Sequence, residues 1–402
     1  MFNLVASGSQ STCEGVTRRE LLQIGTLGIG GLSLAQLFQL EAAAGTQAGS
    51  LLRDKAVVVL NLQGGPTHIE TFDPKMTAPA EYRAMFGEAQ TALPGVTFGA
   101  HFPMLAARAH HMAIVRCYSH GNSNHATAAK LVMAGGNSTG AQMGVLLSRL
   151  VGSNSPRTGM PINSVLPPKA LGEKFAKLGG QTDRVTDIGT LPSSYRPFDP
   201  SAGSEVVRNM QLSIQEQRLD DRRSLLTQLD GLRREAEASD LLAGSDAFQQ
   251  QAFDVIVGGI SEAFNLDQES AATRARYDTS QFTIPRHVAK KKSNVPGQAP
   301  IALGQQMLLA RRLVEHDCRF VTVTSSGWDM HGNAFGINDG MPILGPAVDR
   351  AASAFLDDLR ERGMADRVLL VITGEFGRTP KINTKGGRDH WGNLCTLAFA
   401  GG

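Results

Sequence analysis

Short apolar runs rich in β-branched residues alternate along this chain with segments of helical periodicity. Val57–Leu60, Ile114–Val115, Phe320–Val323 and Val368–Ile372 are largely apolar, the pattern of strands buried on both faces. They predict strands over Lys55–Leu62, Met112–Cys117, Arg319–Thr324 and Asp366–Thr373, with a last apolar run at Leu394–Ala400. Helices are predicted from about Asn124 through Met133, ended by the Gly135–Gly136 pair, over Gln305–Val314, and over Ala347–Arg362. In the last of these, Ala351, Ala354, Phe355, Leu356 and Leu359 form the inner stripe and Gly363 is the stop. Leu225, Leu226, Leu229 and Leu232, then Phe253, Val255, Ile256 and Ile260, also recur at helical spacing, predicting a helical insertion over 205–275. Residues 63–100 and 279–298 read as loops, and 137–202 as short elements and loops. This alternation of strand and helix is that of an α/β fold, a mostly parallel sheet with helices on both faces.

The polar residues that matter chemically fall where these apolar runs end. Gln63-Gly-Gly-Pro-Thr-His68, His120-Gly-Asn-Ser-Asn-His125, Gly327-Trp-Asp-Met-His331 and Gly374-Glu-Phe-Gly-Arg-Thr379 each follow a predicted strand, and Gly387-Arg-Asp-His-Trp391 precedes the last apolar run. Open α/β sheets bind ligands at the carboxyl ends of their strands, so this distribution points to an enzyme or a descendant of one.

Composition narrows the class. The 402 residues are 42% hydrophobic and 19% charged, as in an ordinary globular protein. A formal net charge of +2, no basic stripe and few aromatics exclude nucleic acid as a natural partner. Thr17-Arg-Arg-Glu-Leu-Leu-Gln23, the uncharged stretch 24–40 and Glu41-Ala-Ala-Ala44 resemble a twin-arginine export signal over residues 1–44. The alternative is a membrane anchor, but the Gly, Gln and Ser content of the stretch favours export, with no stable span once the signal is removed. Cys117, Cys318 and Cys395 remain beyond the signal, an odd number in apolar settings, and read as free thiols. Residues 45–402 then form a single domain. The abrupt end at Ala400-Gly-Gly402, beside an apolar run, predicts further sequence at the C-terminus.

Asp329 and His331 are spaced to share a metal ion, or else cap a turn and meet a backbone carbonyl. Glu375 suits a metal ligand or general base, with a Glu375–Arg378 salt bridge as the structural alternative. Arg378 and Arg388 are candidates for binding an oxyanion through paired N–H donors. His390 could hold metal or move protons, and Arg388–Asp389 could equally be a structural pair beside Trp391. His125, in the first turn of a helix, is a ligand or a nucleophile. His68, His120 and Asp389 are additional candidates.

Gly64-Gly-Pro-Thr-His68 with Phe72-Asp-Pro74, Ala310-Arg-Arg-Leu-Val-Glu315, Gly327-Trp-Asp-Met-His331, Gly374-Glu-Phe-Gly-Arg-Thr-Pro380 and Gly387-Arg-Asp-His-Trp391 stand in this order. The set resembles a family of secreted bacterial proteins, domain of unknown function fifteen-oh-one, which looks like a branch of the alkaline-phosphatase and sulfatase superfamily. The resemblance implies a three-layer α/β/α sandwich. It also implies that Asp329, His331 and His390 match metal ligands of that superfamily. Other positions depart from its pattern. Asn61, Leu62 and Gln63 stand where a metal-binding Asp ends the first strand, His125 stands where a hydroxyl or thiol nucleophile is found, and Glu375-Phe376 replaces an Asp-His pair.

The expectation is therefore an exported, metal-dependent hydrolase of phosphate or sulfate esters acting on an anionic ester or glycan. Asp329, His331, Glu375 and His390 would hold a divalent ion (zinc, calcium or manganese), Arg378 and Arg388 the oxyanion, and His125 would be nucleophile or acid–base. The competing expectation is a non-catalytic binding module that keeps a relic metal or anion pocket.

Overall fold

Six strands form the central sheet of the computed structural model, which describes residues 55–202, 260–292, 295–332 and 334–402. The export signal, the lead that follows it and residues 205–259 of the predicted insertion lie outside the described residues. The strands are β1 (Ala56–Leu62), the short pair β2 (Glu88–Gln90) and β3 (Thr97–Gly99), β4 (Met112–Ile114), β5 (Asn163–Leu166), β6 (Phe320–Ser325), β7 (Val368–Thr373), the short pair β8 (Gly377–Arg378) and β9 (His390–Trp391), and β10 (Leu397–Gly401). The helices are α1 (His68–Thr71), α2 (Pro103–Ala106), α3 (His125–Ala134), α4 (Met143–Val151), α5 (Ala271–Arg276), α6 (Arg286–Ala289), α7 (Leu303–Glu315) and α8 (Ile337–Glu361).

The sheet order is β4-β10-β7-β1-β6-β5. β1 lies parallel to β6 and to β7, and β5 parallel to β6, whereas β10 runs antiparallel to both β7 and β4. Successive side chains of β1 point to opposite layers. Val58, Leu60 and Leu62 join Val321, Val323, Leu370 and Ile372 in a core with Leu308 and Leu313 of α7 and Leu344, Val348 and Phe355 of α8. On the other face, Val59 packs with Phe320, Val165, Val185 and Met133 of α3, with Leu147 of α4 against them. The chain thus has an α/β fold with three layers around a mostly parallel sheet.

Several expectations change in detail. The second strand stops at Ile114, since only Met112–Ile114 pair with β10. α8 begins ten residues before Ala347 and runs through Pro342 and Pro346, residues that ordinarily end a helix, because Ile337, Met341 and Leu344 are drawn into the core. Within 260–275 the chain forms the 3-10 turns Ile260–Phe264 and Leu266–Gln268 and most of α5, not one continuous helix. Arg312 of α7 holds these turns through its Nε on the Ala263 carbonyl (2.9 Å) and its Nη1 on Glu269 (2.5 Å). Among the described residues no helix is long and apolar enough to cross a membrane.

Candidate metal centre

The loops after β1, β4, β6 and β7, and the ribbon that leads into β10, meet at the carboxyl edge of the parallel strands. Asn124 caps α3, its side-chain oxygen accepting from the N–H groups of Ala126 and Thr127 (both 3.1 Å), and this fixes His125 at the helix start. Asp329 follows β6. Glu375 follows β7 and leads into the β8/β9 ribbon, in which Arg378 lies opposite His390.

Asp329 is the hub. Its Oδ1 accepts from Arg378 Nη2 (2.6 Å) and lies 3.0 Å from His390 Nε2. Its Oδ2 lies 3.5 Å from His125 Nε2 and 3.4 Å from His331 Nε2. Donor atoms of His125, Asp329 and His390 all fall within 4.8 Å of one another, close enough to share one cation. Burial alone would raise the Asp329 carboxyl, but the hydrogen bonds of His125 and His390 and the Arg378 guanidinium hold it far below the usual carboxylate range. His125, which burial would depress, is raised to about 9 by Asp329 and Glu375.

The outer partners of the two imidazoles decide their tautomers. His125 Nδ1 lies 2.7 Å from Glu375 Oε1, and His390 Nδ1 lies 3.2 Å from the Ser123 carbonyl. Both partners are acceptors, so each Nδ1 carries a proton. A neutral imidazole then turns its Nε2 lone pair toward the Asp329 carboxylate. Lone pairs facing an anion require a proton on each nitrogen or a cation among them. A carboxylate and a backbone carbonyl accepting from Nδ1 are also the usual outer shell of metal-binding histidines. The donor set therefore fits a divalent ion. Phe376 closes the inner side, its ring centroid 4.8 Å from that of His125 and 4.7 Å from that of His390.

Sequence reasoning and structure assign the loop residues differently in several places. His125, Asp329 and His390 are brought together, and His331 stands half-exposed at the rim. Glu375 is buried one step back, its Oε1 accepting from both His125 and the Gly64 N–H (2.9 Å), so it orients a ligand. Arg378 reaches the cluster but is buried, and each of its three nitrogens is engaged, by the carbonyls of Gly65 (2.8 Å), Arg388 (3.0 Å) and Gly64 and by Asp329, so it serves to position the carboxylate more than to face an oxyanion.

Arg388 does not reach the cluster. It is fully buried, bonded to Glu70 (3.0 Å) and to the carbonyls of Arg83 (2.9 Å), Tyr82 (3.3 Å) and Pro380. Its structural partner is thus Glu70, while Asp389 is exposed and accepts from Asn383 (2.9 Å). His120 has both nitrogens engaged. Nε2 donates to the Glu375 carbonyl (2.6 Å) and Nδ1 accepts from the Asn122 N–H (3.2 Å). His68 is buried in α1, and burial lowers it to about 4. The contributions of Ser123, Gly64 and Phe376 had no signal in residue type alone, since two act through backbone groups and the third through a ring.

This arrangement is that of an α/β protein with a His–Asp–His cluster at the carboxyl edge of its sheet. The chain belongs to the family described as "Protein of unknown function (DUF1501)", which matches residues 54–402. No curated protein matches it. Among solved structures, the PsFucS1 sulfatase from Pseudoalteromonas sp. is similar, at 12% identity and a TM-score of 0.33, over 91% of this chain and 64% of that one. The chain thus spans less than two thirds of the length of that structure.

Proposed function

We propose that this protein is an exported, metal-dependent hydrolase of phosphate or sulfate esters, with His125, Asp329 and His390 as the metal ligands. The observation that carries the proposal is the pair of imidazoles whose Nδ1 atoms are tied to outer acceptors while both Nε2 atoms face one carboxylate. A bound divalent ion would polarise the ester oxygen and lower the pKa of a water. Glu375 holds the His125 tautomer, and Arg378 fixes the Asp329 carboxylate. His331, at the open side, is placed to exchange a proton with substrate or solvent. With the imidazoles neutral, as ligands must be, Asp329 and Glu375 outweigh Arg378 in charge. A divalent ion would reverse that balance, leaving the site net positive and attractive to an anionic ester. The loops, in this order, resemble those of a family that looks like a branch of the alkaline-phosphatase and sulfatase superfamily, and this supports the same reaction class. Export by the twin-arginine route to the periplasm or beyond, and a single domain over 45–402, belong to this proposal.

The burial of Arg378 among backbone carbonyls, and the engagement of Arg388 with Glu70 away from the cluster, favour a second reading, a binding module without catalysis. Metal analysis of the full chain purified without chelator, with turnover of aryl phosphate and aryl sulfate esters, separates the two. One or more bound ions per chain, lost in Asp329→Ala and His390→Ala together with ester hydrolysis, are expected for the hydrolase. A folded wild-type protein that binds no metal and turns over neither ester would overturn it.

A further inference from the structure

A second feature flanks the first turn of α3. A cavity of about 700 Å³ takes in Ala126 and Lys130 of this helix and, facing them, Gln181, Asp183, Arg184, Asp187 and Arg196. Two of the elements that build the metal centre also reach this cavity. Ala126 follows His125 directly, and Lys130 lies one turn further along the same helix face. The other wall is tied to the tip of β1. Gln63 Nε2 donates to the Gln181 carbonyl (2.6 Å), and the Gln181 N–H donates to Gln63 Oε1 (2.9 Å), one residue before the Gly64 that bonds Glu375.

The lining states what it can recognise. Lys130 is paired with Asp187 (2.7 Å), and the Arg196 charge also favours the Asp187 carboxylate, but neither Arg184 nor Arg196 makes a contact ion pair among the described residues. Two guanidinium groups without a contact partner suit acidic groups on a ligand. Asp183, Gln181 and the engaged Lys130–Asp187 pair supply acceptors and donors for hydroxyls, and the two carboxylates oppose a ligand of unbroken negative charge. Among the described residues no aromatic ring lines the cavity, so a neutral sugar finds no stacking platform there, and recognition rests on charge and hydrogen bonds. Its volume is within the range of small-molecule sites. We infer that this cavity is the subsite for the non-reacting part of the substrate, and that this part is an acidic oligosaccharide.

The inference rests on the hydrolase reading for the word substrate, but its test does not need turnover. Calorimetry on the full chain at physiological ionic strength would use a sulfated heparin-type tetrasaccharide, its desulfated counterpart and inorganic sulfate. Wild type, Arg184→Ala/Arg196→Ala and Asp329→Ala would be compared, with circular dichroism confirming that each is folded. Should the double variant lose its fold, Arg196→Gln alone, at an exposed position, replaces it. The expected result is binding of the sulfated tetrasaccharide weakened about 10-fold or more by the arginine substitutions and much less by Asp329→Ala. Equal affinity of wild type and arginine variant, loss through Asp329→Ala alone, equal binding of the desulfated sugar or of inorganic sulfate, or no binding by wild type would each overturn it. A protein that binds the tetrasaccharide in this pattern but takes up no metal would instead refute the hydrolase and leave the subsite standing.

Discussion

His125 and Glu375 are joined by a 2.7 Å hydrogen bond from the imidazole Nδ1 to the buried carboxylate, at the junction of α3 and the loop after β7. The same oxygen accepts the Gly64 N–H, so one buried group fixes the β1 loop and the orientation of a ligand together. Glu375→Gln keeps an acceptor at this point but removes the charge. Metal affinity is expected to fall about 10- to 100-fold with the fold intact, as for other outer-shell partners of metal-bound histidine. Competition titration with a chelating dye, wild type against variant, measures this, and unchanged affinity would dismiss the outer-shell role.

Arg388→Ala leaves Glu70 buried without its partner, and the loss in unfolding free energy is expected to be about 3–5 kcal/mol. Urea denaturation measures it. The double variant Arg388→Met/Glu70→Gln, which leaves no lone charge, is expected to recover a substantial part. An Arg388 that bound substrate would instead impair activity at unchanged stability.

Much of this was readable in the chain and some was not, for reasons that can be named. β1, β6 and β7 are buried on both faces, so their apolar runs stand out whatever their partners. β5 was hidden because Asn163-Ser164-Val165-Leu166 has half the apolar length and lies between prolines. The start of α8 was hidden by Pro342 and Pro346, whose local preference is overridden by core packing. At the site, loop position after a strand was enough to bring His125 and Asp329 under suspicion, and a Gly-flanked polar loop before the last strand did the same for His390. The roles of Arg378 and Arg388 were not readable, because a guanidinium that grips carbonyls and one that grips a substrate look alike in sequence.

His68 carries a pH signature. Burial lowers it to about 4 in the folded chain, below its unfolded value near 6.5. Between these values the unfolded state binds the extra proton, so stability is expected to fall as pH falls from about 6.5 to about 4, by up to about 3 kcal/mol, and to level off below. Denaturation midpoints of wild type and His68→Gln across this window test it. Parallel pH profiles for the two proteins would exclude His68 as the source.

Gly64 has φ +117°, and a Cβ there would overlap the Asp329 backbone nitrogen and come within 2.7 Å of the Trp328 carbonyl carbon. Gly64→Ala is expected to displace the Asp329 loop, lowering metal occupancy and thermal stability together. Normal metal content in a stable variant would show that the loop can yield.

Cys318 is fully buried and its thiol is raised to about 12 by burial, and Cys395 is raised to about 11. Alkylation of the native protein at neutral pH is expected to modify the half-buried Cys117 first and to reach Cys318 only on unfolding. Mass spectrometry of peptides after timed iodoacetamide treatment reads the order.

The central position of β1 has a consequence for the making of the protein. Val57 is hydrogen-bonded into a sheet between Phe320 on one side and Leu369 on the other, both far downstream. During synthesis this first apolar strand emerges with neither neighbour yet translated, and it waits for most of the chain before either of its edges is covered. Such long-range closure is slow and leaves a sticky edge exposed meanwhile. A ribosome stalled before Val368, or a truncation there, yields a β1 bare along one whole side, so aggregation of incomplete chains is built into this order of strands.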